Sequence, residues 1–103
     1  MKTMSIVLPA YNEEQMIEKT AGTIARLMEN EDISYELVFV NDGSKDQTWE
    51  RIKEASKKNS NIKGICFSRN FGKEGAVFAG LANASGDCVA VMDCDLQHPP
   101  ETL

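Results

Sequence analysis

Two aspartates one residue apart, Asp93 and Asp95, stand directly after the apolar run Val89-Ala90-Val91-Met92. In an extended backbone, side chains two residues apart project to the same side. The pair can therefore share a hard divalent cation, directly or through its water shell, because Mg²⁺ and Mn²⁺ prefer oxygen donors. Such a cation bridges a diphosphate and offsets its charge. The competing reading is a pair of solvated acids opening a turn, and a bare Asp-x-Asp is too short to decide. The strand before it and the continuation Leu96-Gln97-His98-Pro99-Pro100-Glu101 favour the metal reading.

Three more polar clusters follow apolar runs: Pro9-Ala10-Tyr11-Asn12-Glu13, Asn41-Asp42-Gly43-Ser44 and Ser68-Arg69-Asn70-Phe71-Gly72-Lys73. Tyr11 is either a core aromatic or a ring lying against a nucleobase. Glu13 is either a first-turn acid favoured by the helix dipole or a ligand to base or ribose. Asp42 can accept a base N–H or a ribose hydroxyl, although Asx and Gly residues also make turns here and Ser44 can cap a helix. Arg69 and Lys73 flank a helix start, where anions are attracted, so they are candidate diphosphate contacts. A solvated basic rim is the alternative for both. His98, followed by two prolines, reads as a loop residue and not as a base.

The elements that must position these clusters follow from hydrophobic period. Residues 5–8, 36–40, 63–67 and 88–92 are short runs rich in Val, Ile and Phe, which read as strands. Between them, residues 13–29 carry Ile17, Ala21, Ile24 and Met28 on one helical face. Asn12 with Gln15 resembles a capping box at its start. Residues 46–58 carry Trp49, Ile52 and Ala55, with Ser44 or Asp46 as cap. Residues 73–84 carry Ala76, Val77, Gly80, Leu81 and Ala84, with Gly86 as the stop. Such alternation implies an α/β fold, a Rossmann-like parallel sheet with helices between its strands and right-handed crossovers. In such sheets ligands bind beyond the carboxyl ends of the strands. All four polar clusters fall at that edge.

Bulk properties narrow the partners. The chain has 103 residues, 42% hydrophobic and 26% charged, which is ordinary globular composition for at most one domain. A net charge of −5 argues against nucleic acid as a partner, since phosphate backbones demand a basic excess. A phosphate-bearing ligand must be held locally, by a metal or by backbone N–H groups. The three cysteines have neither zinc nor disulfide spacing and read as free thiols in a reducing compartment. Cys66 and Cys88 are expected in the core, and Cys94 as packing. No stretch reaches the roughly 20 apolar residues of a membrane span. The expectation is a soluble, cytoplasmic chain. Pro99-Pro100-Glu101-Thr102-Leu103 has the features of a helix start with no helix after it, so residues 1–103 read as part of a domain truncated after Asp-x-Asp.

Together the stretches Val7–Glu14, Val38–Ser44, Ser68–Glu74 and Met92–Glu101 resemble the family 2 glycosyltransferases of GT-A fold. The last two are most similar to the polyprenyl-phosphate sugar transferases, the group that includes dolichol-phosphate mannosyltransferases and undecaprenyl-phosphate glycosyltransferases. The resemblance implies that the chain is the N-terminal, nucleotide-binding half of the GT-A fold. Pro9, Tyr11 and Glu13 with Asp42 would cradle the nucleoside of a UDP- or GDP-sugar. Asp93, Asp95 and Gln97 would hold Mg²⁺ or Mn²⁺ and the diphosphate, with Asp95 as the catalytic residue. Cys94 stands where a small residue such as alanine is usual. The implied reaction is inverting transfer of a hexose to a polyprenyl phosphate at the cytoplasmic face of a membrane, with membrane association through regions beyond this chain. A polysaccharide acceptor, or nucleotide binding without turnover, is the alternative.

Other readings fit less well. A sugar nucleotidyltransferase expects a Gly-rich, basic loop after the first strand, and a dinucleotide-binding domain expects Gly-x-Gly-x-x-Gly there. A receiver-type signalling domain would want an acidic pair at that point. The sequence offers Pro9-Ala10-Tyr11-Asn12-Glu13 instead.

Overall fold

The computed structural model describes residues 3–67 and 72–92, and of Lys73 the backbone alone. Seven elements alternate in order: β1 (Thr3–Ala10), α1 (Ile17–Asn30), β2 (Ser34–Asp42), α2 (Thr48–Lys58), β3 (Ile62–Phe67), α3 (Lys73–Asn83) and β4 (Cys88–Val91). All strand pairs are parallel, and the sheet order is β3-β2-β1-β4. This is the expected Rossmann-like α/β architecture. The chain builds outward from β1 to β3, then crosses back to place β4 on the other side of β1. The strand order therefore reverses between β1 and β4, and parallel sheets bind ligands at the crevice such a reversal opens.

The period of two along the strands divides the core into two layers. Ile6, Leu8 and Ala10 of β1 with Leu37 and Phe39 of β2 face α1 and α2, where Ile17, Ala21, Ile24, Met28 and Ile52 close over them. Val7, Val38 and Val40 point to the opposite face and pack under Ala76 and Ala79 of α3. Two glycines permit the close approach. A Cβ on Gly80 would stand 2.3 Å from Val7 Cγ1, and one on Gly64 would stand 2.7 Å from Ile52 Cγ2. Among the described residues, no helix is long and apolar enough to cross a membrane.

Several local expectations are corrected. Helix α1 starts at Ile17, four residues later than the sequence pattern suggests, and its N-cap Met16 supplies no side-chain cap. Asn12 does not cap it, because its amide is engaged elsewhere. Helix α2 starts at Thr48, and Asp46 does serve its first turn: Asp46 Oδ1 accepts the Thr48 N–H at 2.9 Å and the Thr48 hydroxyl. Gly86 is not a helix stop. A Cβ there would lie 2.5 Å from Ser5 Oγ and 2.7 Å from the Thr3 carbonyl, so glycine is needed for the turn to press against β1. Cys66 and Cys88 are exposed, not buried, because β3 and β4 are the two outer strands of this sheet. Leu81, expected on the buried face of α3, is 46% exposed; Ala76 and Gly80 do lie on that face, and Ala79 joins them.

At the amino end of the sheet, Glu36 is 6% exposed yet ionised. Its Oε2 accepts from Ser5 Oγ, from the Ser85 N–H and from Ser85 Oγ, and Lys63 Nζ lies 2.7 Å from Oε1. Burial alone would raise its pKa. The Lys63 ammonium and the Ser5 and Ser85 donors outweigh that and hold it at about 2. The Gly86 N–H donates to Ser5 Oγ at 2.8 Å and the Asp87 N–H to the Thr3 carbonyl at 2.7 Å. The turn that leads into β4 is thereby fastened to β1 before the strand ladder begins.

Candidate functional site

The carboxyl ends of β1 and β2 lie side by side, with Ala10 registered against Asn41. Tyr11 and Asp42 therefore continue neighbouring strands at one edge. Tyr11 is 42% exposed and its ring is open to a ligand. Asp42 is 4% exposed and sits at the end of β2, paired in register with Phe67. Pro9 and Glu13 are half-buried. These four candidate nucleoside residues are thus gathered at adjoining strand ends, with Tyr11 the most open and Asp42 the deepest.

The loop after β1 is bound to the loop after β2 by a run of hydrogen bonds. Three consecutive backbone donors of the first loop are taken by side chains of the second. The Asn12 N–H donates to Ser44 Oγ at 2.9 Å, the Glu13 N–H to Thr48 Oγ1 at 2.8 Å, and the Glu14 N–H to Asp46 Oδ2 at 3.4 Å. In return, Asn12 Oδ1 accepts the Lys45 N–H at 2.9 Å. Within the second loop, Asn41 Oδ1 accepts the Ser44 N–H at 3.1 Å across Gly43, whose φ is +70°. Asn41 also donates from Nδ2 to Cys66 Sγ at 3.3 Å, which engages both ends of its amide inside the protein. Asp42, the next residue, is the candidate base contact of this pair. Burial would raise the Asp46 pKa, but its bonds from Thr48 and from the Glu14 N–H lower it on balance.

This arrangement differs from a phosphate-binding loop. In dinucleotide-binding folds, free N–H groups after the first strand cradle the phosphates. Here the three N–H groups of residues 12–14 are already spent on Ser44, Thr48 and Asp46. The same edge is acidic: Glu13, Glu14 and Asp46 line a polar cleft of about 320 Å³. These three N–H groups are thus not available to an anion, and the carboxylates beside them would repel one.

Helix α3 follows the third strand-end cluster, and of its Lys73 the backbone alone is described. Its first residue is Lys73, preceded by Gly72 at φ +90°, a backbone that side chains rarely adopt. On the other flank, the Met92 N–H donates to the Val7 carbonyl at 3.0 Å, so the chain leaves β4 alongside the carboxyl half of β1. The metal and diphosphate candidates Asp93, Asp95 and Gln97, and Arg69 beside the third helix, lie outside the described residues, as does Cys94. Among the described residues, no group of three His, Cys, Asp or Glu side chains could hold a metal ion. Sequence reasoning missed the linking roles of Asn12, Ser44 and Asp46, which read as caps and turn formers, and of Thr48, which nothing singled out. Their shared polarity over two strand-end loops was the only signal available.

Comparison with known proteins agrees with this geometry. The uncharacterised glycosyltransferase YkcC of Bacillus subtilis (strain 168) is 46% identical over 99 residues, which are 96% of this chain and 31% of that protein. The bactoprenol glucosyl transferase of Shigella phage SfV is 43% identical over 100 residues, 97% of this chain and 33% of its own length. The chain thus spans about a third of the length of these curated relatives. Among solved structures, the mannosyltransferase PcManGT from Pyrobaculum calidifontis in complex with GDP-Man and Mn²⁺ superposes with a TM-score of 0.78 at 25% identity, covering 91% of this chain and 27% of that one. Glucosyl-3-phosphoglycerate synthase from Mycobacterium tuberculosis in complex with Mn²⁺, UDP and glucosyl-3-phosphoglycerate gives a TM-score of 0.72 at 31% identity, covering 91% and 34%. Residues 5–103 match the pattern described as Glycosyl transferase family 2, and with a parallel β3-β2-β1-β4 sheet shared with GT-A glycosyltransferases the chain belongs to that family.

Proposed function

We propose that this chain is the nucleotide-sugar-binding part of a glycosyltransferase that moves a hexose from a UDP- or GDP-sugar to a polyprenyl phosphate. The observation that carries the reading is the reversal of strand order between β1 and β4. It puts the strand whose sequence continues into Asp93-Cys94-Asp95 next to β1, with Val91 opposite Val7, on the side away from β2. Relatives named bactoprenol glucosyl transferases support the lipid acceptor, and related structures holding GDP-Man or UDP with Mn²⁺ support the donor and the cation.

In this reading Tyr11 lies against the base, Asp42 and Glu13 take polar groups of base and ribose, and Pro9 shapes the loop. Arg69 and Lys73 face the diphosphate. The donor set of Asp93, Asp95 and Gln97 is all oxygen, which suits Mg²⁺ or Mn²⁺ and not a thiolate-seeking metal. When bound there, that cation would stabilise the departing nucleoside diphosphate as a Lewis acid. A phosphate oxygen of the acceptor attacks the anomeric carbon from the face opposite the leaving group. The bond from that carbon to the diphosphate breaks, and the configuration inverts. The acceptor oxygen is already anionic and needs little help from a base. An acidic first loop whose N–H groups at residues 12–14 are already bonded supports a role for that cation in holding the donor. The test is the full-length protein assayed with UDP- or GDP-hexose, Mn²⁺ and a polyprenyl phosphate in detergent. Lipid-linked hexose that disappears on chelation is expected, and transfer undiminished by chelator would overturn the metal-assisted reading.

A further inference from the structure

We infer that Asn12 is a positioning residue, which locks the loops after β1 and β2 into one preformed cradle for the nucleoside. The inference rests on the nucleotide reading above and adds the residue that sets the cradle's shape. Asn12 is one of two described non-glycine residues with positive φ, at +53°. Asparagine tolerates this left-handed region better than most residues, and held conformations of this kind cluster at functional sites. From that backbone, both polar ends of the residue reach the neighbouring loop. Its N–H donates to Ser44 Oγ and its Oδ1 accepts from the Lys45 N–H, each at 2.9 Å.

Core packing does not account for the pair. Asn12 and Lys45 are exposed and Ser44 is only half-buried, so closing this latch hides little apolar surface. What the latch fixes is geometry. Asn12 directly follows Tyr11, the open aromatic of the site, and Ser44 and Lys45 follow Asp42 by two and three residues. Holding the two loops together before ligand arrives removes the ordering cost that binding would otherwise carry. Glycine at position 12 would keep the backbone freedom and lose the acceptor; alanine would lose both. Asparagine supplies the two together.

The test uses the full-length protein with three variants, Asn12→Gly, Ser44→Ala and Ser44→Thr. Binding of UDP and GDP with Mn²⁺ is measured by calorimetry, and exchange of the residue 12–14 and Lys45 amides by NMR. Asn12→Gly and Ser44→Ala should each weaken nucleotide binding about tenfold, the size of one net hydrogen bond. The KM for donor should rise by the same factor with kcat unchanged at saturation. Ser44→Thr, which keeps the hydroxyl, should restore affinity. The double variant should lose less than the product of the single effects, because both changes open one latch. A merely structural role would lower the melting temperature and leave affinity untouched. Parental affinity in a folded Asn12→Gly protein would overturn the inference. Should the unaltered protein take up neither nucleotide, the functional reading fails, and amide exchange still decides the latch. Faster exchange at Lys45 and residues 12–14 in Asn12→Gly supports it, and unchanged exchange refutes it.

Discussion

The two ends of the sheet handle charge in opposite ways. At the amino end, Glu36 is enclosed, and four donors from β1, β3 and the α3–β4 turn converge on its two oxygens. At the carboxyl end, side chains capture backbone N–H groups while Glu13, Glu14 and Asp46 line an open cleft. One end uses a carboxylate to hold strands in place; the other uses hydroxyls, an amide and the Asp46 carboxylate to hold loops, with Glu13 and Glu14 half-buried along the cleft. A buried charge that is paired and hydrogen-bonded rigidifies its surroundings. Charges left at the edge of a cleft can meet a cation or a ligand hydroxyl. The contrast separates the part of the chain that keeps the fold from the part that can do chemistry.

The largest effect expected from breaking this division lies at the carboxyl end. Asp95→Asn in the full-length enzyme should reduce hexose transfer by about a hundredfold or more, the usual cost of losing an electrostatic stabiliser of a leaving group. The urea midpoint should stay near that of the parent. Near-normal turnover at saturating Mg²⁺ or Mn²⁺ would remove Asp95 from the chemistry.

The amino end should show the reverse pattern, in stability and not in turnover. The Glu36 pKa lies at about 2 in the folded protein, below its ordinary 4.5. A depressed carboxylate contributes stability that is complete above its unfolded pKa and is lost as pH falls toward the folded one. Stability should therefore decline between about pH 4.5 and pH 2 by on the order of 3 kcal/mol, from the shift alone. Urea unfolding at a series of pH values measures this. Glu36→Gln should be less stable at neutral pH and flatter through the acid range. An equally steep acid decline in that variant would assign the loss to other carboxylates.

The finest test returns to the carboxyl end. Asp42→Ala should weaken nucleotide binding by roughly 1–3 kcal/mol, the value of one buried hydrogen-bonding group, with the circular dichroism spectrum retained. Unchanged affinity would mean that Asp42 only ends its strand, and the line between holding and binding would then run through the site itself.

Much of the fold was legible from sequence because the strands are short Val- and Ile-rich runs and the helices between them have one clear apolar face. Ile17, Ala21, Ile24 and Met28 lie buried on α1 as their spacing required. What could not be read were choices made by tertiary partners. Asn12 followed three residues later by Gln15 fits a local capping pattern, but Lys45, 33 residues away, claims the Asn12 amide oxygen. Gly86 fits a helix stop, but Ser5 and Thr3 of a strand more than 80 residues earlier leave no room for a side chain. Cys66 and Cys88 fit buried strands by composition, and only the sheet order puts them on outer strands. Glu36 opens an apolar run in the sequence, and nothing local marks the four donors that meet there. For the site, Tyr11, Glu13, Pro9 and Asp42 were gathered by the strand-end rule alone, while the bonds joining their loops needed coordinates.

The central place of β1 also orders events in time. Its β2 partner arrives 31 residues later, at Thr3 against Ser34, whereas its β4 partner arrives 84 residues later, at Met4 against Cys88. Contacts distant in sequence close slowly, because a longer loop must be ordered before they form. During synthesis, the β1-α1-β2 unit can pack while β4 is still unmade, and one hydrogen-bonding edge of the central strand stays bare. An unpaired strand edge is a template for another chain. The fastening of Ser85, Gly86 and Asp87 onto Glu36, Ser5 and Thr3 is thus also the step that ends this exposure, and chains caught before it are the ones a chaperone would have to shield.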